Sequence, residues 1–187
     1  LAADAQTEGL SVSTASRPGP KPTKVVTVRE EGASVIVDTG AVVARIDRSG
    51  ANLIASLAVE GREVARDGRL IAIREDRSSL EAEDVRRDVR YASDITKVTV
   101  EQSGPVRAVV RIEGQHRAQG GPDRRWLPFV VRLYFTAGLA SIRMVHSFVF
   151  DGDQATDFIK GLGLRFSVPF REEIQNRHVR FAADDHN

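Results

Sequence analysis

The sequence has no cysteine, which excludes a disulfide framework, a zinc–thiolate site and a thiol nucleophile together. It also lacks any apolar run approaching the roughly 18 residues that a membrane-spanning helix requires. Charge of one sign is missing as well. The formal net charge is +1, so no whole-surface field draws nucleic acid or an anionic membrane to the chain. Lysine is nearly absent: Lys21, Lys24, Lys97 and Lys160 stand against 23 arginines. Arginine offers a planar fork that matches carboxylates and stacks on rings, so an arginine-rich face suits an acidic ligand.

What is present is enough for one packed domain. At 187 residues, with 41% hydrophobic and 28% charged residues, a single core can bury most of the apolar surface. The chain begins "LAADAQ", small and polar as after a removed signal or an upstream boundary, which gives the expectation of a secreted or periplasmic protein. Residues 1–23 are rich in Ser, Thr, Gly and Pro without periodicity and read as a leader or linker. Residues 24–187 read as a single β domain.

From Lys24 the apolar residues recur with period two, as half-buried strands demand. "TKVVTVRE", "SVIVDTG", "AVVARIDR", "NLIASLAVEG", "REVAR" and "RLIAIRED" are separated by glycine-bearing spacers that suit tight turns. Ser78 to Asp88 is charged, lacks alternation and is the one place for a helical turn. Longer strands follow in "DITKVTVEQ", "VRAVVRIEGQHRA", "RWLPFVVRLYFTAG", "ASIRMVHSFVF" and "KGLGLRFSVPF". About eleven strands with little helix predict an all-β fold, an antiparallel barrel or sandwich.

Alternation then sorts the side chains. Leu127, Phe129, Val131, Leu133 and Phe135 fall on one face of their strand, with Trp126, Arg132 and Tyr134 opposite. With Arg111, Arg143 and Arg165 these form a candidate carbohydrate-binding surface: Arg111, Trp126, Arg132, Tyr134, Arg143 and Arg165. Sugar C–H faces pack on aromatic plates while guanidinium pairs with a uronate carboxylate. The same residues suit the polar side of a half-exposed sheet, or a face that covers another domain.

His116 stands at a strand end beside the loop "RAQGGPDRR", free to meet a ligand. His146, between Met144 and Phe148, reads as a core histidine. "DGDQATD" lacks the glutamate of a calcium loop, with Leu162 in the twelfth position, and reads as a turn capped by aspartates. The sequence predicts no metal site and no cofactor; calcium is compatible with a larger parent protein, but no motif here supplies it. "GLG" is no dinucleotide fingerprint, and nucleophile-elbow, zincin and phosphate-loop patterns are absent.

The succession "SGPVRAVVRIEGQH", "LPFVVRLYFTAGLASIRMVHSFVFDGD" and "DFIKGLGLRFSVPF" resembles the N-terminal β domain, of RIFT-barrel type, of the exo-rhamnogalacturonan lyase-like, YetA-like family. The resemblance runs from about Val25 to Phe170. It implies a large secreted protein in which this domain precedes a β-sandwich and a helical toroid. It also implies β-elimination of acidic polysaccharide, with the domain itself mainly structural or lining one wall of the sugar cleft; the catalytic candidates for that reaction are His116, Tyr134, Arg132 and Arg143, residue types that fit the roles of base and carboxylate-neutralising cation. The implied partners are an acidic polysaccharide or oligosaccharide and other domains of the same chain. The alternative is a non-catalytic carbohydrate-binding or interaction module.

Overall fold

The computed structural model describes residues 23–77 and 87–177. The expected leader, most of the expected helical turn at Ser78 to Asp88, and the C-terminal histidines lie outside the described residues; Arg87 and Asp88 open a strand instead. The described chain is all-β. In chain order the strands are β1 (Thr27–Glu31), β2 (Ser34–Asp38), β3 (Val42–Asp47), β4 (Ile54–Val59), β5 (Arg62–Asp76), β6 (Arg87–Ser103), β7 (Arg107–Ala118), β8 (Arg125–Thr136), β9 (Ile142–Phe148) and β10 (Asp157–Ser167). A short 3₁₀ turn, Ile174–Asn176, follows.

Every pairing between these strands is antiparallel, and β1 to β9 are joined in sequence order as a meander. β4 and β5 meet in a two-residue hairpin, Val59 opposite Arg62, with Glu60 at φ 51° and Gly61 at φ 73°. Positive φ at both central residues is the turn whose twist matches the flanking strands.

Eleven expected strands become ten because "REVAR" and "RLIAIRED" are one. The spacer "DGR" looked like a turn, but Asp67, at φ 56°, and Gly68 only kink β5. A Cβ on Gly68 would lie 2.3 Å from the Phe166 ring, so glycine is there to let β10 pack close.

β5 decides the architecture. Along its length it pairs β10, from Arg66 opposite Ser167 to Asp76 opposite Asp157. Its other margin pairs β4 at residues 62–68 and β6 at residues 71–76. Two strands sharing one margin must diverge, so the sheet parts into two layers. One carries β1 to β4, the other β6 to β9, and β1 and β9 do not close a ring. The barrel alternative is thereby set aside in favour of a sandwich.

The layers bury a common core. Val35, Val37, Ala44, Ile46 and Leu53 face Ile95, Val110, Ile112, Val131, Leu133 and Phe135, all 5% exposed or less. At about 25 cal/mol per Å² of apolar surface removed from water, this is the dominant stabilising contribution. Cross-layer hydrogen bonds pin the two layers, with Ile95 N–H donating to Gly50 C=O (2.8 Å) and the Thr39 hydroxyl to Leu139 C=O (2.8 Å).

Candidate functional site

The outer face of β7, β8 and β9 gathers the polar residues that alternation placed there. Directly opposed residues share a face, so the ladder reads as rows: Arg107 beside Thr136, Val109 beside Tyr134 beside Arg143, and Arg111 beside Arg132 beside Val145. Arg111, Arg132, Tyr134 and Arg143 therefore do converge.

Their electrostatics differ. Arg132 donates through Nε and Nη2 to the two oxygens of Glu101, at 2.8 and 3.0 Å, a bidentate pair that holds the Glu101 carboxyl below the usual carboxylate range. Arg111 donates to Glu113 at 2.9 Å and has Glu101 at 3.9 Å from its Nε. Both guanidinium groups are thus already paired. Arg143 has no carboxylate partner among the described residues. Its Cζ sits 5.6 Å from the centroid of the Tyr134 ring.

Tyr134 and Arg143 line an open groove of about 720 Å³ with Gln102, Arg107, Thr136 and Ser141. The Arg107 Nε donates to Gln102 Oε1 at 2.9 Å, which orients the group without neutralising it. The groove thus offers two guanidinium groups that bind no carboxylate among the described residues, an aromatic plate, and the hydroxyls of Thr136 and Ser141. Arg107 and Ser141 were not among the candidate site residues: register sets Arg107 opposite Thr136, two residues along β8 from Tyr134, and Ser141 joins the groove just ahead of β9.

Three expected site residues lie elsewhere. Arg165 is on β10, opposite Arg69 of β5, and does not join the β7 to β9 surface. Trp126 is 1% exposed and packs with Tyr91, Ala72 and Leu127, so it presents no plate to a sugar. The cause is a bulge: Gly114 opposes Phe129 but His116 opposes Trp126, so β8 carries one extra residue there and its inside–outside parity reverses. Leu127, at φ 48°, sits in the bulge and is fully buried.

His116, expected to be free for a ligand, is 0% exposed. Its Nδ1 lies 2.9 Å from the Leu127 carbonyl oxygen, and burial pulls its pKa down against that bond. His146, half-buried rather than in the core, packs between Phe129 and Phe148, and burial lowers its pKa too.

The "DGD" stretch is a turn with each carboxylate engaged. Asp151 accepts the Leu127 N–H at 2.8 Å and Asp153 accepts that of Ala155 at 2.8 Å. Asp157, 3% exposed, accepts the Asp153 N–H at 3.0 Å and binds Arg74 and Arg124. Among the described residues no group of three or more His, Asp or Glu side chains is arranged to hold a metal ion, and no helix is long and apolar enough to cross a membrane.

With the geometry in hand, residues 26–187 match the family model described as "PcRGLX-like protein central beta sandwich domain". The chain is also 42% identical over 177 residues to the "Uncharacterized protein YetA" of Bacillus subtilis (strain 168). That match covers 95% of this chain and 20% of the relative, so the chain spans about a fifth of the relative's length. The matched model is described as a central sandwich, whereas the resemblance read from the sequence had implied an N-terminal barrel; the open two-layered sheet agrees with the former.

Proposed function

This chain belongs to the PcRGLX-like central β-sandwich domain family, and we propose that in its parent protein it forms one wall of a cleft that binds an acidic, uronate-containing polysaccharide. Arg143 carries this reading. It is held over Tyr134 in an open groove, and no carboxylate among the described residues neutralises it. One side chain then supplies the cation for a uronate carboxylate, and the other a plate for the C–H face of the ring.

The rhamnogalacturonan lyase-like relationship of the family supports the polymer class and, for the parent protein, β-elimination. In that reaction a cation neutralises the uronate carboxylate before a base removes the proton beside it. The contribution of this domain is binding. Its His116 is sealed in the interior, its Arg132 is committed to Glu101, and its Tyr134 is assigned to ring packing, so base and acid are proposed to come from other parts of the parent protein. Export to where such polymers occur belongs to the same proposal.

The test uses the full-length protein with galacturonate-containing oligosaccharides and their carboxyl-reduced, neutral counterparts. Arg143→Ala is expected to weaken binding of the acidic ligand about tenfold, or about 1.4 kcal/mol, and to leave the neutral one unaffected. Unchanged affinity would remove the groove from the proposal. If elimination is measured, a raised KM with constant kcat is the expected signature of a binding wall. The second reading, a carbohydrate-binding module of a parent without lyase activity, would show the same binding loss and no unsaturated product.

A further inference from the structure

β9 ends the strand order and among the described residues pairs on one side only, with β8. In such an edge strand alternate N–H and C=O groups point away from the sheet and require water or a partner. β1, at the other end of the order, protects its margin with charge: Arg29, Glu30 and Glu31 are exposed along it. β9 has no such protection beyond Arg143. From Met144 to Phe150 the chain reads "MVHSFVF", without a formal charge.

Val145, Phe148, Val149 and Phe150 are 37, 40, 63 and 37% exposed. Phe148 and Val149 also line, with Pro128, Phe129 and Gly114, an open and largely apolar groove of about 330 Å³. A seven-residue uncharged β-forming segment on an open edge is an aggregation hazard unless something covers it.

We propose that this edge and groove are the docking surface for another domain of the longer polypeptide in which this sandwich resides. That domain contributes an extended, uncharged segment that pairs with β9 and seats apolar side chains against Phe148 and Val149. The occupant follows from length. This chain aligns with only 20% of its relative, so four-fifths of such a polypeptide lies outside the sandwich. A tethered domain meets the edge at an effective concentration in the millimolar range, so a modest apolar contact suffices to keep it covered. This docking does not depend on sugar binding, which concerns the outward-facing Arg143 and Tyr134 side chains.

Hydrogen exchange read by mass spectrometry on the full-length protein, with its mass in solution measured alongside, decides the matter. In a monomer at submicromolar concentration, all amides from Val145 to Val149 are expected to exchange at least about 100-fold slower than an open chain, including those that β8 does not bond. Val149→Asp is expected to abolish that protection while leaving the amides of β2 and β7 protected. Alternate β9 amides exchanging at open-chain rates in the wild type would overturn the proposal without need of any variant. Protection that disappears on dilution together with a dimer would assign the edge to a second copy. Protection lost when residues 178–187 are removed would assign it to the chain's own tail. Either outcome also overturns the proposal.

Discussion

The rings of His116 and His146 lie 6.0 Å apart, tilted by 49°, and neither Nε2 has a hydrogen-bond partner among the described residues. Burial lowers the pKa of both, with the Asp151 carboxylate and two backbone groups partly offsetting this at His116, and the neighbouring histidine adding to it at His146. The native state therefore favours two neutral rings. Below about pH 6.5 the unfolded chain takes up protons that the native one refuses, so stability falls as pH drops from there toward the lowered native values. Urea midpoints between pH 7.5 and 5 should show this decline, and His146→Gln should remove roughly half of the slope. A flat profile in the wild type would contradict the neutral pair.

Asp157 joins Arg74 and Arg124 and is itself buried. Burial alone would raise its carboxyl pKa; the Asp153 N–H and the two guanidinium groups outweigh that and lower it. Asp157→Asn should cost about 3 kcal/mol, because the Arg74 side chain, 7% exposed, is left with only the Asp76 carboxylate, at 3.2 Å. Arg124→Ala should cost about 1 kcal/mol or less, since that side chain is 42% exposed. Chemical denaturation of the two variants checks the ranking. Because the native carboxyl pKa is depressed, the pair's contribution is complete above the aspartate reference value and is lost as pH falls through the lowered one.

Glu101 neutralises Arg132 and lies near Arg111 beside the groove. Glu101→Gln should release the Arg132 fork and strengthen binding of an acidic oligosaccharide several-fold, with a steeper dependence on salt. Arg132→Ala should leave affinity within about twofold, since that fork is already occupied. Titration calorimetry at two ionic strengths distinguishes these outcomes from a surface in which every arginine contributes equally.

Gly114 lies where β6 and β8 crowd β7. A Cβ there would stand 2.4 Å from the Asp94 carbonyl oxygen and 2.7 Å from the Phe129 ring, so backbone must move. Gly114→Ala should lose about 2–3 kcal/mol. Gly104→Ala, with no neighbour closer than 3.8 Å, should stay within about 0.5 kcal/mol of wild type in the same denaturation experiment.

Much of this fold was legible in the sequence because half-buried strands impose a period of two, and β7 and β8 keep it clearly. What defeated the pattern was irregularity that conserves residue type. Asp67 and Gly68 look like a turn and are a kink. The extra residue at Leu127 carries Trp126 from the predicted outer face into the interior. Arg111, Arg132, Tyr134 and Arg143 were rightly grouped by alternation, but which guanidinium is already paired depends on register. Glu101 sits on β6 beside a register shift and meets Arg132 of β8 across the intervening β7. Arg165 failed because adjacency in sequence, β9 then β10, is not adjacency in the sheet.

The pairing of β10 with β5 also sets a timetable. Arg74 and Asp157 are 83 residues apart, so the long strand waits for a partner made much later. At synthesis rates of about 5–20 residues per second, that delay is on the order of ten seconds. During it the apolar underside of β5 has only its earlier neighbours for cover. A nascent chain of this protein is therefore most exposed to chaperones and proteases in the interval before "DFIKGLGLRFS" emerges, and a ribosome pause just upstream of Asp157 would prolong that interval.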